Sequence, residues 1–160
     1  QLPCQTAGPT NSLGVVASDL LTEASGLSAG RLIPDILWSH NDSGDSSILY
    51  ALGIDGSNLG AYRLDFVSAV DWEDMASGSD PKTGTPRLYI GAIGDNALSR
   101  DNIEVVIINE PNTLPGKQVG LIKSGIVLTL IYEDGPHNAE TLLVDPITED
   151  IYILTKNWNY

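Results

Sequence analysis

A sequence pattern that occurs three times constrains the fold of this chain more than any other feature. In its first copy, residues 36–45 read Ile-Leu-Trp-Ser-His-Asn-Asp-Ser-Gly-Asp, an apolar run that ends in oxygen-bearing side chains. The second copy, residues 87–96, reads Arg-Leu-Tyr-Ile-Gly-Ala-Ile-Gly-Asp-Asn, and a weaker third copy begins at Asp150. Self-similarity at such a spacing is typical of repeated sheets.

A glutamate precedes the aromatic residue of each copy at a similar interval. The three pairs are separated by 15, 16 and 12 residues and are Glu23 with Trp38, Glu73 with Tyr89, and Glu140 with Tyr152. Successive glutamates are 50 and 67 residues apart, and the longer interval contains two long loops. A four-stranded propeller blade has about 40–50 residues, so each interval fits one blade.

Short β-branched or aromatic runs separated by Gly, Asp, Asn and Pro predict an all-β fold. Strands are predicted near residues 22–27, 36–41, 47–53, 59–66, 87–93 and 102–109, in the apolar run 122–132, and in a third unit that opens at residue 138. Loops are predicted at 77–86 and 111–120, where proline and glycine oppose regular pairing. Residues 1–18 form a predicted extended lead-in, and residues 19–160 form one domain of blades.

Many short strands with regular turns are compatible with a sandwich, a barrel or a propeller, and the repeat favours the propeller. About three blades fit between Glu23 and Tyr160, whereas a closed ring typically needs about four to eight. The chain is therefore expected to form half of a β-propeller, or not to be a propeller.

Charge restricts the possible partners. The formal net charge is −13, the pI is near 4.2, and only eight residues are Lys or Arg. Nucleic acid and anionic membranes are bound by clustered basic residues, so neither is an expected partner. No apolar run is long enough to predict a membrane span. An acidic surface suits a cation such as Ca²⁺, although acidity can also serve solubility alone.

The start of the sequence bears on localisation. Gln1 in place of Met fits a secreted protein without its signal peptide, and a fragment boundary explains it equally well. Cys4 is the only cysteine, so it is free or pairs outside this sequence. Residues 41–43 match the N-glycosylation pattern, but we expect the polar cluster around Asn41 to serve another purpose.

Several motifs, taken together over about residues 19–156, resemble a family of secreted, mostly uncharacterised bacterial-type β-propeller proteins. They are Glu-Ala-Ser-Gly-Leu from residue 23, Leu-Trp-Ser-His-Asn-Asp-Ser-Gly-Asp from 37, Asp-Trp-Glu-Asp-Met-Ala from 71, Ile-Gly-Asp-Asn from 93, Asn-Glu-Pro from 109 and Asn-Ala-Glu from 138. The family is distantly similar to gluconolactonase, paraoxonase and phytase propellers, in which acidic residues at the inner blade ends hold calcium. Family members continue for several strands beyond the equivalent of Lys156, which implies that further blades, another subunit or self-assembly completes the ring.

The recurring acids are the predicted metal ligands. A residue at the start of each blade points to the central channel, so Glu23, Glu73 and Glu140 are expected to converge. Converging carboxylates repel one another unless a proton or a cation intervenes, and Ca²⁺ prefers such oxygen ligands. Further oxygens are expected from Asn41, Asp42, Asp45, Asp95 and Asn96. The alternative is that these five side chains only stabilise turns by bonding to nearby backbone N–H groups.

Two functions follow from these observations. The favoured one is an extracellular β-propeller module with a binding, structural or assembly role, rigidified by calcium. The alternative is a calcium-dependent hydrolase of a lactone, ester or phosphoester, with His40 or His137 as the general base. The sequence has no Gly-x-Ser-x-Gly, His-Glu-x-x-His or glycine-rich phosphate motif that would indicate another enzyme class.

The aromatic residues have a simpler interpretation. We expect Trp38, Tyr89 and Tyr152 to pack inside the blades, because a large ring buries about 150–250 Å² wherever it sits. Trp72 is the alternative candidate, as a platform for a sugar or another ligand. Trp158 and Tyr160 are expected at an interface, since a β chain that ends within its architecture leaves an open edge.

Overall fold

The structure is a computed structural model that describes residues 8–42 and 44–156. These residues form eleven strands and no helix, which confirms the all-β prediction. Nothing in these two ranges has the length and apolar character of a membrane-spanning helix. The predictions for Gln1, Cys4, Trp158 and Tyr160 fall outside the described residues.

The strands are numbered in chain order, and their bounds are β1 Ala24–Ala29, β2 Ile36–Asn41, β3 Ile48–Gly53, β4 Asn58–Leu64, β5 Trp72–Ser79, β6 Pro86–Ala92, β7 Ile103–Asn109, β8 Val119–Ile122, β9 Ile126–Leu130, β10 Ala139–Val144 and β11 Ile151–Thr155. They form three open sheets with the orders β1-β2-β3-β4-β8, β5-β6-β7-β9 and β10-β11. All neighbouring strands are antiparallel except β4 and β8. None of these three sheets closes into a barrel.

The sequence repeat coincides with the three sheets. The aromatic residue of each copy lies on the second strand of its sheet, with Trp38 on β2, Tyr89 on β6 and Tyr152 on β11. Glu73 and Glu140 are the second residues of the first strands β5 and β10, and Glu23 directly precedes β1. The repeated unit is therefore a sheet that begins with a glutamate.

One predicted loop is shorter than expected. Residues 77–86 were predicted to lack regular pairing, which is wrong at both ends, because β5 continues to Ser79 and pairs there with Pro86. Proline is tolerated at the first residue of a strand, where its missing N–H is not required. The remaining turn is fixed by Asp80, whose side chain accepts hydrogen bonds from the backbone N–H groups of Lys82 and Thr83.

The apolar run 122–132 is divided between two sheets. Its first residue, Ile122, ends β8, which lies parallel to β4 at the edge of the first sheet. After Gly125 the chain returns and β9 pairs with β7 in the second sheet. A segment between β7 and β9 thus ties the first two sheets together, an arrangement that apolar character alone does not predict.

The middle sheet is buried on both faces. On β6, Leu88 and Ile90 belong to the core shared with the first sheet, whereas Tyr89 belongs to the core shared with the third. On β7, Val106 belongs to the core shared with the first sheet and Val105 to the core shared with the third. Side chains alternate between the two faces of a strand, so a strand covered on both sides is apolar almost throughout.

The first strands of the sheets lie side by side, with β5 in contact with β1 on one side and β10 on the other. Hydrogen bonds cross both contacts. Ser25 Oγ donates to the Glu73 carbonyl (2.5 Å), and Leu142 N donates to Asp74 Oδ2 (2.8 Å). We call this line of three neighbouring strands the seam.

Gly26 allows β1 to approach β5 at the seam. A Cβ atom at this position would lie 2.7 Å from the Met75 backbone nitrogen and would collide with His40 Nε2. Both neighbours are held inside the core, since Met75 is buried and His40 is completely inaccessible. The seam therefore requires glycine at this position for steric reasons.

We predict that Gly26→Ala lowers the free energy of unfolding by about 1–3 kcal/mol, because an added methyl group in a packed interior forces neighbouring groups apart. Urea unfolding followed by tryptophan fluorescence measures the change. Gly8→Ala is the matched control, since no atom lies within 4 Å of its Cβ position. Equal stability of the two variants would contradict the packing argument.

A buried carboxylate joins the second sheet to the end of β1. Glu110, which directly follows β7, accepts hydrogen bonds from Trp38 Nε1 (3.1 Å), Arg31 N (2.8 Å) and Leu32 N (3.2 Å). Glu149 of the third sheet repeats the arrangement, because its carboxylate accepts Ser79 N at the end of β5 (2.8 Å). Each of these first strands is thus capped by a glutamate of the following sheet.

Glu110→Gln is expected to destabilise the protein by about 1–3 kcal/mol, because a neutral oxygen replaces a charged acceptor and the amide NH2 group faces Arg31 N, which also donates to Oε2 (3.0 Å). Glu133→Gln, at an exposed position, is the matched control and should change stability by less than about 0.5 kcal/mol. Thermal unfolding of the two variants under identical conditions tests this. A variant as stable as the control would show that the three hydrogen bonds add nothing.

Candidate functional site

Three carboxylates from two sheets meet at one end of the seam. Asp42 directly follows β2, Asp71 directly precedes β5, and Glu73 is on β5. One carboxylate oxygen from each lies within 4.8 Å of the others. We refer to Asp42, Asp71 and Glu73 as the acidic group.

The backbone fixes the positions of these acids. Asp42 N donates to the Glu23 carbonyl (2.9 Å), and Gly94 N donates to the Asp71 carbonyl (3.2 Å). Asp71 has a positive φ of 52°, a conformation that Asp and Asn adopt more readily than most residues. A Cβ atom at Gly94 would lie 2.5 Å from Asp71 Oδ2 and would collide with Glu73 Oε1. The Gly94 backbone thus closes one side of the group.

The third sheet supplies a further acid. The side-chain carboxyl of Glu140 lies close to that of Glu73 and helps to raise its pKa. Glu140 Oε1 also accepts hydrogen bonds from Lys156 Nζ (3.0 Å) and Asn138 Nδ2 (3.3 Å). Acids of all three sheets are therefore gathered around Glu73, and Lys156 partly balances their charge.

Glu73 is the member whose protonation is most perturbed. The residue is buried, with only 7% of its surface exposed. Burial raises the pKa of Glu73 to about 7, and the neighbouring carboxylates of Asp42, Glu140 and Asp71 add to the effect. Loss of solvation and like charges both disfavour the ionised form. Near neutral pH the carboxyl is therefore protonated in about half of the molecules, and a positive charge beside it would favour the ionised form.

The three recurring glutamates are not equivalent. Glu73 and Glu140 are in contact, whereas Glu23 is exposed and is not a member of the acidic group. Its backbone N donates to Asn41 Oδ1 (3.0 Å), which places it beside the end of β2. The role of Glu23 as a metal ligand stays a prediction.

Asn41 and Asp45 form a separate polar network. Asn41 Nδ2 donates to the Leu20 carbonyl (2.8 Å) and to Asp45 Oδ2 (2.6 Å), and Tyr50 Oη donates to the same carboxylate oxygen (3.2 Å). Burial, reinforced by Asp45, raises the pKa of Tyr50 to about 12. Asn41 is itself buried and hydrogen bonded. The Asn41 side chain thus holds the chain before β1 against the first sheet, and Asp45 holds Asn41 in place.

Asp95 and Asn96 also bond to the protein. Asp95 is buried, and its carboxylate accepts hydrogen bonds from Ser99 N (3.0 Å) and Arg100 N (2.9 Å). Asn96 Oδ1 accepts Asn138 Nδ2 (3.1 Å). Asp95 therefore has the turn-stabilising bonds that were the alternative to metal ligation.

Neither histidine belongs to the acidic group. His40 is completely buried, its Nδ1 lies 2.8 Å from the Asn41 carbonyl oxygen, and burial lowers its pKa. His137 Nε2 lies 2.8 Å from Asp134 Oδ1 on a turn. Catalysis by either residue stays a prediction that no observation tests.

The aromatic predictions have mixed outcomes. Trp38 and Tyr89 are buried, as predicted, whereas Tyr152 is 51% exposed, because no further strand covers its face among the described residues. Trp72 as a ligand platform is wrong. Its ring is 1% exposed and packs edge-on against His40 with ring centroids 5.4 Å apart.

Asp71 is the member that the sequence did not single out as a ligand. Its only signal is its closeness to Glu73 in the sequence, because Asp71 precedes β5 and has a positive φ. In the sequence Asp71 is only the first residue of the Asp-Trp-Glu-Asp-Met-Ala motif, and only the fold shows that Asp42 of another sheet lies beside it.

Comparison with protein-family models, with curated proteins and with solved structures finds no match to this chain. The resemblance to secreted propeller proteins therefore stays a prediction based on motifs.

The raised pKa of Glu73 predicts that stability decreases with pH when no metal is bound. The usual glutamate value is 4.5 and the folded value is about 7, so the folded state binds the proton more tightly. The stabilisation is complete below pH 4.5 and is lost as pH rises through 7. Because one pKa unit corresponds to about 1.4 kcal/mol, the free energy of unfolding falls by up to roughly 3 kcal/mol over this range. Urea unfolding in chelator at pH 5 and pH 8 measures it.

Glu73→Gln is expected to remove most of this pH dependence, because the neutral amide has no proton to lose. Glu133→Gln is again the control and should keep the wild-type dependence. If the Glu73→Gln and wild-type proteins lost equal stability between pH 5 and pH 8, the effect would belong to other groups.

Proposed function

We propose that the protein is an extracellular β-propeller module with a binding or structural role, stabilised by Ca²⁺ at the acidic group. One observation carries the calcium assignment: Asp42, Asp71 and Glu73 bring carboxylate oxygens within 4.8 Å of one another beside a fourth acid, Glu140. Such a group is stabilised by a cation that shares its oxygens.

The ligand chemistry favours a hard cation. The acidic group contains only carboxylates, with neither histidine nor cysteine among its members. Zinc sites in proteins use nitrogen and sulfur ligands more often, whereas Ca²⁺ takes six to eight oxygens and tolerates irregular geometry. Bound calcium would supply positive charge at Glu73 and would link the first two sheets through their own side chains.

The propeller proposal is supported by the arrangement of the sheets. The first four strands form an antiparallel meander, β5, β6, β7 and β9 form a second, and β10 with β11 forms a third hairpin. The sheets stack face to face while their first strands lie side by side, as in neighbouring blades around an axis. Its location outside the cell rests on the family resemblance.

Further blades, another subunit or self-assembly would cover the third sheet. Its two strands expose Leu143, Tyr152 and Leu154, each by about half. The paired residues Leu143 and Tyr152 lie opposite each other, so these side chains share one face. We favour this module over the hydrolase because His40 is inaccessible and His137 bonds to Asp134.

Calcium is expected to raise the free energy of unfolding of the wild-type protein, by about 2.7 kcal/mol when free calcium is one hundred times the dissociation constant. The double variant Asp71→Asn/Glu73→Gln should lose this response. Asn suits the positive φ at position 71, so the exchange removes charge with little backbone strain. Thermal unfolding in chelator and at increasing calcium concentrations measures the response.

Glu133→Gln should retain the full calcium response, and magnesium should stabilise the wild type less than calcium does. Isothermal titration calorimetry on the wild type and the double variant gives the stoichiometry. Absence of calcium binding at millimolar concentration, or an equal response in the double variant, would overturn the assignment.

A further inference from the structure

A cleft of about 380 Å³ lies on the outer face of the first sheet, and it uses none of the residues of the acidic group. Three parts of the chain enclose it: residues 18–20 before β1, strands β3 and β4, and the segment 114–119 that leads into β8. Ligand sites in proteins are mostly apolar clefts of about 300–1,000 Å³, so this cleft has the size of a site for a small molecule.

Two walls of the cleft are held in place by hydrogen bonds. The Leu20 carbonyl accepts a hydrogen bond from Asn41 Nδ2 (2.8 Å), which fixes the segment before β1. On the other side, Tyr62 Oη donates to the Thr113 carbonyl (2.8 Å), and β8 pairs with β4. The cleft is therefore preformed by the fold.

The lining is apolar with a few polar groups. Most of the apolar surface is supplied by Leu20, Leu59, Ala61, Leu114 and Val119. Of these, Leu20, Leu114 and Val119 are exposed, by 66%, 36% and 55%. Such a surface is stabilised when an apolar body covers it, since burial removes apolar area from water.

Ser18 provides a polar group inside the cleft. The residue is 8% exposed, and its hydroxyl oxygen has no hydrogen-bond partner among the described residues. An unpaired buried hydroxyl is less favourable than a paired one. The oxygen is closed to solvent in the free protein, so rotation of the Ser18 side chain toward the cleft that it lines would bring the hydroxyl to a polar group of a bound molecule.

Lys117 gives the cleft its charge preference. It lines the cleft and forms no salt bridge with a described residue. The chain has 21 acidic and only eight basic residues, so a lysine beside an apolar cleft is a local exception to its charge. An anionic group next to Lys117 would be attracted, whereas a cationic one would be repelled.

We propose that this cleft binds a small anionic amphiphile, with its apolar body against the leucines and Val119 and its carboxylate near Lys117 and the Ser18 hydroxyl. A medium-chain carboxylate is the simplest molecule of this class. The cleft shares no residue with the acidic group, so the proposal is tested independently of calcium binding.

Titration of the protein with sodium octanoate, followed by ¹H-¹⁵N NMR, tests the proposal. Octanoate is expected to shift saturably the amide signals of residues that line the cleft, and octyltrimethylammonium of equal chain length is expected to bind more weakly. Equal binding of the two amphiphiles, or the absence of saturable shifts at millimolar octanoate, would overturn the proposal.

Variants locate the site. Val119→Trp fills the cleft from an exposed position and should abolish binding, while Lys117→Glu should weaken it by at least about threefold, the size of an exposed ion pair. Lys82→Glu carries the same charge change on a distant exposed turn and should bind like the wild type. Unchanged binding in Val119→Trp, with its fold verified by circular dichroism, would overturn the assignment.

Ser18→Ala provides a second readout that does not depend on affinity alone. It should raise the stability of the ligand-free protein, because it removes an unpaired buried hydroxyl, and it should reduce the stabilisation that octanoate gives. A variant that is less stable than the wild type without octanoate and equally stabilised by it would contradict the role of Ser18.

Discussion

Burial of both faces of the middle sheet is the constraint on which the rest of the structure depends. Leu88 and Ile90 face the first sheet, and Tyr89 and Val105 face the third. The apolar side chains of β6 and β7 are therefore buried only if a sheet covers each face. Apolar burial contributes about 25 cal/mol per Å² and has no preferred direction, so it stacks the sheets without fixing their relative positions. The directional part comes from polar contacts at the ends of the first strands, where Glu110 and Glu149 accept backbone N–H groups of the preceding sheet.

This stacking creates the acidic group as a consequence. Once β1, β5 and β10 lie side by side, the carboxylates of Asp42 after β2, Asp71 before β5 and Glu73 within β5 are brought into a small volume. Their mutual repulsion is offset by the apolar contacts behind them, by protonation of Glu73, and by Lys156 beside Glu140. Like charges held together in this way are stabilised by a cation, which is why we propose a structural ion at the seam.

The outer face of the first sheet is only partly covered by other segments of the chain. Residues 17–21 lie across it through hydrogen bonds to the turn after β3 and to Asn41, and the segment before β8 reaches it from the second sheet. These two segments leave a cleft between them, because each is held to the sheet by its own hydrogen bonds. The acidic group and the cleft therefore arise from separate features of the fold, the first from the convergence of strand starts and the second from incomplete coverage of a sheet.

The sequence by itself determined the strands, most of the turns and the repeat, because alternation, β-branched residues and Gly or Pro act over a few neighbouring residues. It also placed a glutamate at the start of each sheet, and Glu73 with Glu140 do meet. Only the tertiary structure decided that Asp42 and Asp71 join Glu73, that β8 pairs with β4, and that Trp72 and His40 are inaccessible. These outcomes depend on which faces stack and which distant segments pair, and no local pattern records that choice.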